Sequence, residues 1–402
     1  MKKALFVLTL FSSIGFFNPM QIFSPQLTKL MFYLCICMCA LLAVTDGRSL
    51  RGIDYPRKSY WLFMLMIAVS TVSATAFHPQ SYSVTLMSTL PYFLGYFFFW
   101  IMLKLALPER FILKWMFIGC LLAVPVYFIN LFSFPNVVFG EEFNLDTSRG
   151  MLRVPVFFLE IMAFFLFYGI NQLLLGRGRK NLWIMICGVC TLMIFMSVVR
   201  QVILYSMVLC ILFLLKRSSW TKKLMVVAAG IIVVVYVLPM IPAYNTMLEL
   251  SGDQLEENEE KENVRIGAWR YYTFENQTNG LTPIIGNGSP SFGNSVWGNV
   301  FDDAIEDNGY LYADVAWAGI IYLFGWTGFA ALLILILKAV FKQKIPEREY
   351  LTYWFVFIFL CGIGSGVFIY YNSIISIMIG LYLVFGTNEK NSDNNPQLQQ
   401  PV

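Results

Sequence analysis

Charge is scarce in this sequence. Of 402 residues, 13% are Asp, Glu, Lys or Arg, about half the share found in soluble globular domains. That deficit, with 58% hydrophobic residues, excludes an ordinary water-soluble protein. Ten-residue segments of alternating polarity are missing too, which excludes a transmembrane barrel. Histidine occurs once, His78 in "AFHPQSYS"; with no partner ligands beside it, it reads as an interfacial residue at a short turn. The eight cysteines all fall within apolar runs. Cys187-x-x-Cys190 has no second pair or histidine nearby, so neither a metal site nor a disulfide framework is expected. The opening "MKKALFVLTLFSSIGFF" lacks a small-x-small cleavage site and reads as a first, uncleaved span. "GNGSPSFG" has no strand–loop–helix context and no P-loop lysine, which leaves no nucleotide site. No internal repeat or inverted symmetry is visible, and this disfavours the common transporter folds.

What the chain does have is long apolar runs, most of a length that crosses a bilayer. They lie near 4–20, 27–45, 60–77, 84–103, 111–130, 154–175, 182–199, 201–215, 224–242, 309–337, 350–367 and 370–386. The expectation is an all-α polytopic protein of about 12 spans. Residues 1–242 form an N-terminal bundle of about nine spans with an outer loop at 131–153. A large outer loop follows at 243–308, then spans over 309–386 and a polar tail at 387–402 that reads as disordered. With the N-terminus in the cytoplasm, 21 of the 28 Lys and Arg residues fall on the cytoplasmic side. The positive-inside bias therefore places both termini inside and both longer loops outside. The net charge of +4 is thereby a signature of topology, not of nucleic-acid binding.

Seven basic residues remain outside, and these need a reason. Arg265 and Arg270 flank Trp269 in "NVRIGAWRYYTF", splayed by about 140° on a helix. Arg200 in "MSVVRQVILY" sits at the turn of a short span pair. Guanidinium forks suit phosphate oxygens, so the three could hold a lipid-linked pyrophosphate. Snorkelling, with pairing to the acids between Glu256 and Glu262, is the plainer alternative. Glu160 lies inside a span, with Arg153 seven residues earlier on roughly the same face. An intramembrane acid marks a site by default, and a buried ion pair is the competing account. Asp302, Asp303, Glu306, Asp307 and Asp314 crowd the mouth of a long apolar run. Asp307 and Asp314 are one heptad apart and share a face if the helix already includes Asp307. Such a carboxylate could accept a proton from a sugar hydroxyl; helix capping is the bland alternative. The acids of 253–262 read as a solvated face, and Asn276-Gln277-Thr278 is a sequon of low specificity.

The order of these features resembles the O-antigen polymerase/ligase family of bacterial envelope glycosyltransferases, the Wzy- and WaaL-type proteins. The resemblance rests on Arg265-x-x-x-Trp269-Arg270 at the entry of a late large loop and on "PIIGNG", Pro283 to Gly288. It rests also on Asp307-Asn308-Gly309 before a span with an early Gly319, and on Arg200 in "SVVRQVIL". "SRGMLRVPVFFLE" adds a weaker match, and the likeness covers roughly 145–325. It implies a GT-C-like membrane enzyme of the bacterial inner membrane whose donor is a glycan on undecaprenyl pyrophosphate. An acceptor hydroxyl attacks the donor's anomeric carbon and the lipid pyrophosphate departs, with neither nucleotide sugar nor metal cofactor required. By position, Arg200, Arg265 and Arg270, together with Arg153, would hold the pyrophosphate. Ligase-type members carry a histidine where this chain has Asp307, which favours a polymerase of O-antigen, capsule or exopolysaccharide. The general base is then Asp307, Glu306 or Glu160. Membrane lipid, a chain-length regulator and a flippase are the implied partners, without nucleic acid. A ligase using another acceptor, a lipid-linked glycan flippase and a non-catalytic assembly partner are the rival readings.

Overall fold

A computed structural model describes residues 1–13, 25–140, 154–216, 263–343 and 345–386. Among these the chain is helical, with no strand. Eight described helices precede the large loop: α1 (Lys2–Ser12), α2 (Pro25–Thr45), α3 (Arg57–Phe77), α4 (Tyr82–Leu105), α5 (Glu109–Phe132), α6 (Leu159–Leu175), α7 (Lys180–Met196) and α8 (Arg200–Lys216). The loop itself contributes α9 (Val264–Arg270), α10 (Thr282–Ile285) and α11 (Val296–Asn308), and three long helices follow, α12 (Ala316–Lys342), α13 (Glu349–Cys361) and α14 (Tyr371–Phe385). Five of them, α2, α3, α4, α5 and α12, are long and apolar enough to cross a membrane.

The expected span at 224–242 lies outside the described residues, as do the tail at 387–402 and most of the first outer loop. Two expected spans have different limits. The run at 309–337 becomes α-helical only at Ala316, after a left-handed turn at Gly309 (φ 68°) that ends α11 and a short 3₁₀ turn at Tyr312–Asp314. The run at 350–367 stops at Cys361, where a Gly-rich loop at 362–370 takes over. Conversely, α11 occupies residues read from sequence as loop. Ser295 starts it by accepting a hydrogen bond from the Gly298 amide at 2.9 Å, an N-cap arrangement. Trp297 and Phe301 then bury one face of it.

The long helices alternate in direction and gather their ends at two faces. One face holds the ion pairs Lys2–Asp46 (2.6 Å) and Arg177–Glu347 (3.0 Å), together with Lys216–Glu349, Lys342–Asp54 and Arg348–Glu109. Arg48 adds hydrogen bonds to the carbonyls of Leu103 and Gly386 on that same face. Every residue in these pairs falls on the side that the Lys/Arg count assigns to the cytoplasm. The opposite face carries the loop elements.

Between the faces, packing depends on small residues and aromatics, since apolar side chains gain little by leaving lipid for protein. A Cβ at Gly95 of α4 would fall 3.0 Å from Ile374 of α14, and one at Gly380 of α14 would fall 2.1 Å from the Trp354 ring of α13. These contacts bring α4, α13 and α14 close enough to enclose Trp354 and Tyr96 completely. Together these helices pack closely beneath the loop face.

Candidate functional site

A cavity of about 680 Å³ opens on the loop face. Its walls come from the start of α6, the α7–α8 turn, the start of α9, the Gly309–Asp314 approach to α12 and the loop 362–370. Glu160, Arg200, Arg265 and Asp314 all line it. Two cations and two acids from widely separated segments thus face one space.

Local backbone geometry directs the two residues from the spans. Ser197 ends α7, and Val198 then takes φ 56°, a left-handed conformation that a β-branched residue rarely adopts. The chain reverses there and α8 begins at Arg200, which aims into the cavity. Phe158 has φ 60° immediately before α6, and Glu160 follows in the first turn. Each such residue costs about 1–2 kcal/mol, and strain of this sort collects at functional sites. Glu160 is held in place: its Oε1 accepts from Ser373 Oγ at 2.6 Å, and its backbone carbonyl accepts from Trp354 Nε1 at 2.8 Å.

Arg265 is positioned by a junction of three segments. Asn263 caps α9 by accepting from the Arg265 amide at 3.0 Å. The Gln201 side chain is satisfied when its nitrogen donates to Gly364 O (2.5 Å) and its oxygen accepts from Arg265 Nη1 (3.1 Å). Trp269 Nε1 donates to Ile363 O at 3.0 Å, which fastens α9 to the same Gly-rich loop. The arginine fork therefore projects over the cavity rim from a fixed base.

The other sequence candidates are placed differently. Arg270 turns away from the cavity, as its angular offset from Arg265 requires, and pairs with Glu275 at 2.6 Å. Glu306 and Asp307 are exposed on α11 and are not part of the cavity wall. Because α11 ends at Asn308 and residues 309–315 are not α-helical, Asp307 and Asp314 do not share a helix face. Arg153 lies outside the described residues. Sequence reasoning passed over Gln201, Ser373 and the loop "GIGSGVFIY". Its Gly-x-Gly-x-Gly spacing, Gly362 to Gly366, was the visible signal that a helix could not continue there.

"PIIGNG" is a structural wedge. α12 is broken at Gly325 (φ 73°, ψ 169°), which frees the carbonyls of Tyr322 and Leu323. The amides of Asn287 and Gly288 take them at 2.9 and 3.0 Å. These N–H groups are spent on the protein's own backbone and do not cradle phosphate. Beside the wedge, His78 Nε2 lies 3.3 Å from Asn287 Oδ1, and its ring stacks on Trp297 at 3.8 Å. Burial lowers the His78 pKa, so its protonation opposes this packing. Stability from His78 is present above its ordinary value of about 6.5 and is lost as pH falls through the lowered folded value. The thermal midpoint in detergent should drop between pH 7 and pH 5, and His78→Gln should flatten that part of the profile.

No family model matches the sequence, and no curated protein matches it. Among the described residues the protein is all-helical, with five helices long and apolar enough to cross a membrane.

Proposed function

We propose that this protein is an integral-membrane polymerase that joins undecaprenyl-pyrophosphate-linked oligosaccharide repeat units. It would have about 12 spans in a GT-C-like arrangement in a bacterial inner membrane, with both termini cytoplasmic and the cavity facing outward. The observation that carries this reading is the convergence of Arg200 and Arg265 with Glu160 and Asp314 on one cavity. Its volume lies in the range of small-ligand sites, which suits a diphosphate and its adjoining sugar but not a long polymer.

In this reading the acceptor hydroxyl attacks the anomeric carbon of the donor and gives its proton to a carboxylate. The bond from that carbon to the pyrophosphate oxygen breaks, and both electrons leave with the diphosphate. Arg200 and Arg265 stabilise the charge that develops on it. Asp314, exposed at the cavity, replaces Asp307 as the leading base, with the half-buried Glu160 second.

The direct test is turnover of purified protein with undecaprenyl-pyrophosphate repeat units, read as a ladder of lengthened glycans. Asp314→Asn should slow ladder formation by about 10²-fold or more, whereas Asp307→Asn should leave it near the parent rate. The reverse order would return the base to α11. A product on a different acceptor would mark a ligase, and movement of the lipid-linked glycan without any new bond would mark a flippase.

A further inference from the structure

The stretch from Leu281 to Gly288 belongs to the large loop in sequence but not to its surface in space. Gly288 packs so tightly against α3 that a Cβ there would fall 2.4 Å from Ser70 O. Ser70 is seven residues before the loop-face end of α3 at Phe77, a depth of about 10 Å at 1.5 Å per residue. α3 has 21 residues, about the thickness of the hydrocarbon layer. On the other flank, Gly286 and Ile284 abut the α12 break at Gly325, nine residues beyond Ala316.

The backbone there is equipped for a medium without water. The amides of Ile284 and Ile285 bond Leu281 O, that of Gly286 bonds Thr282 O, and those of Asn287 and Gly288 bond α12. Residue 283 is a proline with no N–H, and the Gly286 carbonyl accepts from Ser73 Oγ at 2.7 Å. Irregular backbone at membrane depth survives only with such internal pairing. The outward side chains are nevertheless apolar: Leu281 is 57% exposed, Ile284 54% and Trp326 41%. No charged residue occurs between Leu281 and Ser289.

We propose that Leu281–Gly288 is a re-entrant segment. It enters the leaflet on the loop side, with Leu281, Ile284 and Trp326 against lipid acyl chains as a continuation of the lipid-facing flank of α12. This rests on α3 and α12 crossing the bilayer and not on any glycan chemistry, so it stands or falls separately from the polymerase reading. The test is a fluorescent NBD probe on Ile284→Cys, with the full chain reconstituted in phosphatidylcholine vesicles and the signal of the parent chain subtracted. Phe274→Cys, at a position 70% exposed in the loop, is the water-facing reference. At 284 the probe should be quenched by lipids carrying a shallow doxyl group and at least about fivefold less by iodide than at 274. Equal iodide quenching at the two sites, with no doxyl quenching at 284, would overturn the assignment. Leu281→Cys gives the same reading if Ile284→Cys fails to fold.

Discussion

Arg200→Ala and Arg265→Ala, each made alone, should lower the rate of glycan chain growth by about 10²–10³-fold, and together they should abolish it. The size follows from their proposed work. A donor aimed at charge that develops during bond breaking contributes about 3–4 kcal/mol to the barrier. The loss should appear mainly in kcat, because that charge is larger in the transition state than in the bound donor. Arg270→Ala is the matched control. It removes a guanidinium from the same helix, but one that pairs with Glu275 away from the cavity, and it should change the rate less than about threefold. Lysine at position 265 should recover little, since a point charge cannot reproduce the fork that Gln201 holds. Retention of full ladder growth by the double variant, with its fold intact, would remove the catalytic reading.

Gly325→Ala should be among the most destabilising single substitutions in the chain. The residue sits at φ 73° and ψ 169°, a region essentially closed to other residues, at about 1–3 kcal/mol. In addition, its Cβ would lie 2.2 Å from Ile284 O, a backbone atom that cannot rotate aside. The expected loss is about 3 kcal/mol or more, read as a lower yield of monodisperse protein and a lower thermal midpoint in detergent. Gly293→Ala separates the two causes. Gly293 also has positive φ but nothing within 4 Å of its Cβ position, so only the conformational strain of about 1 kcal/mol remains.

Helical character and the positions of most apolar runs were legible because each is a property of contiguous sequence. A twenty-residue apolar run has one solution in hydrocarbon, the helix. Arg200, Arg265 and Glu160, which meet at the cavity, stood out for separate reasons: an acid inside a span is costly, and basic residues are scarce on the side assigned to the outer loops. Which carboxylate of the 302–314 stretch reaches the cavity was not legible. Asp307 and Asp314 are equivalent in spacing arguments, and what separates them is the left-handed turn at Gly309, a backbone detail that lets α11 end before the span begins. Gln201 and Ser373 were hidden because a neutral polar residue near a helix end has many ordinary explanations. The structural role of "PIIGNG" was hidden for a deeper reason. Its partner is the broken backbone of α12, and Gly325 in an otherwise continuous apolar run gives no sign in hydropathy that the helix is interrupted.

The strap that Trp269 makes to Ile363, and the seat that Ser373 gives Glu160, set an order of events during synthesis. Wall residues come from as early as Leu159 and as late as Ser373. A chain that has made α1 to α12 but not α13 and α14 therefore lacks the wall that Phe357, Cys361, Tyr370 and Ser373 supply. The cavity is complete only once α13 and α14 are packed against α6 and α8.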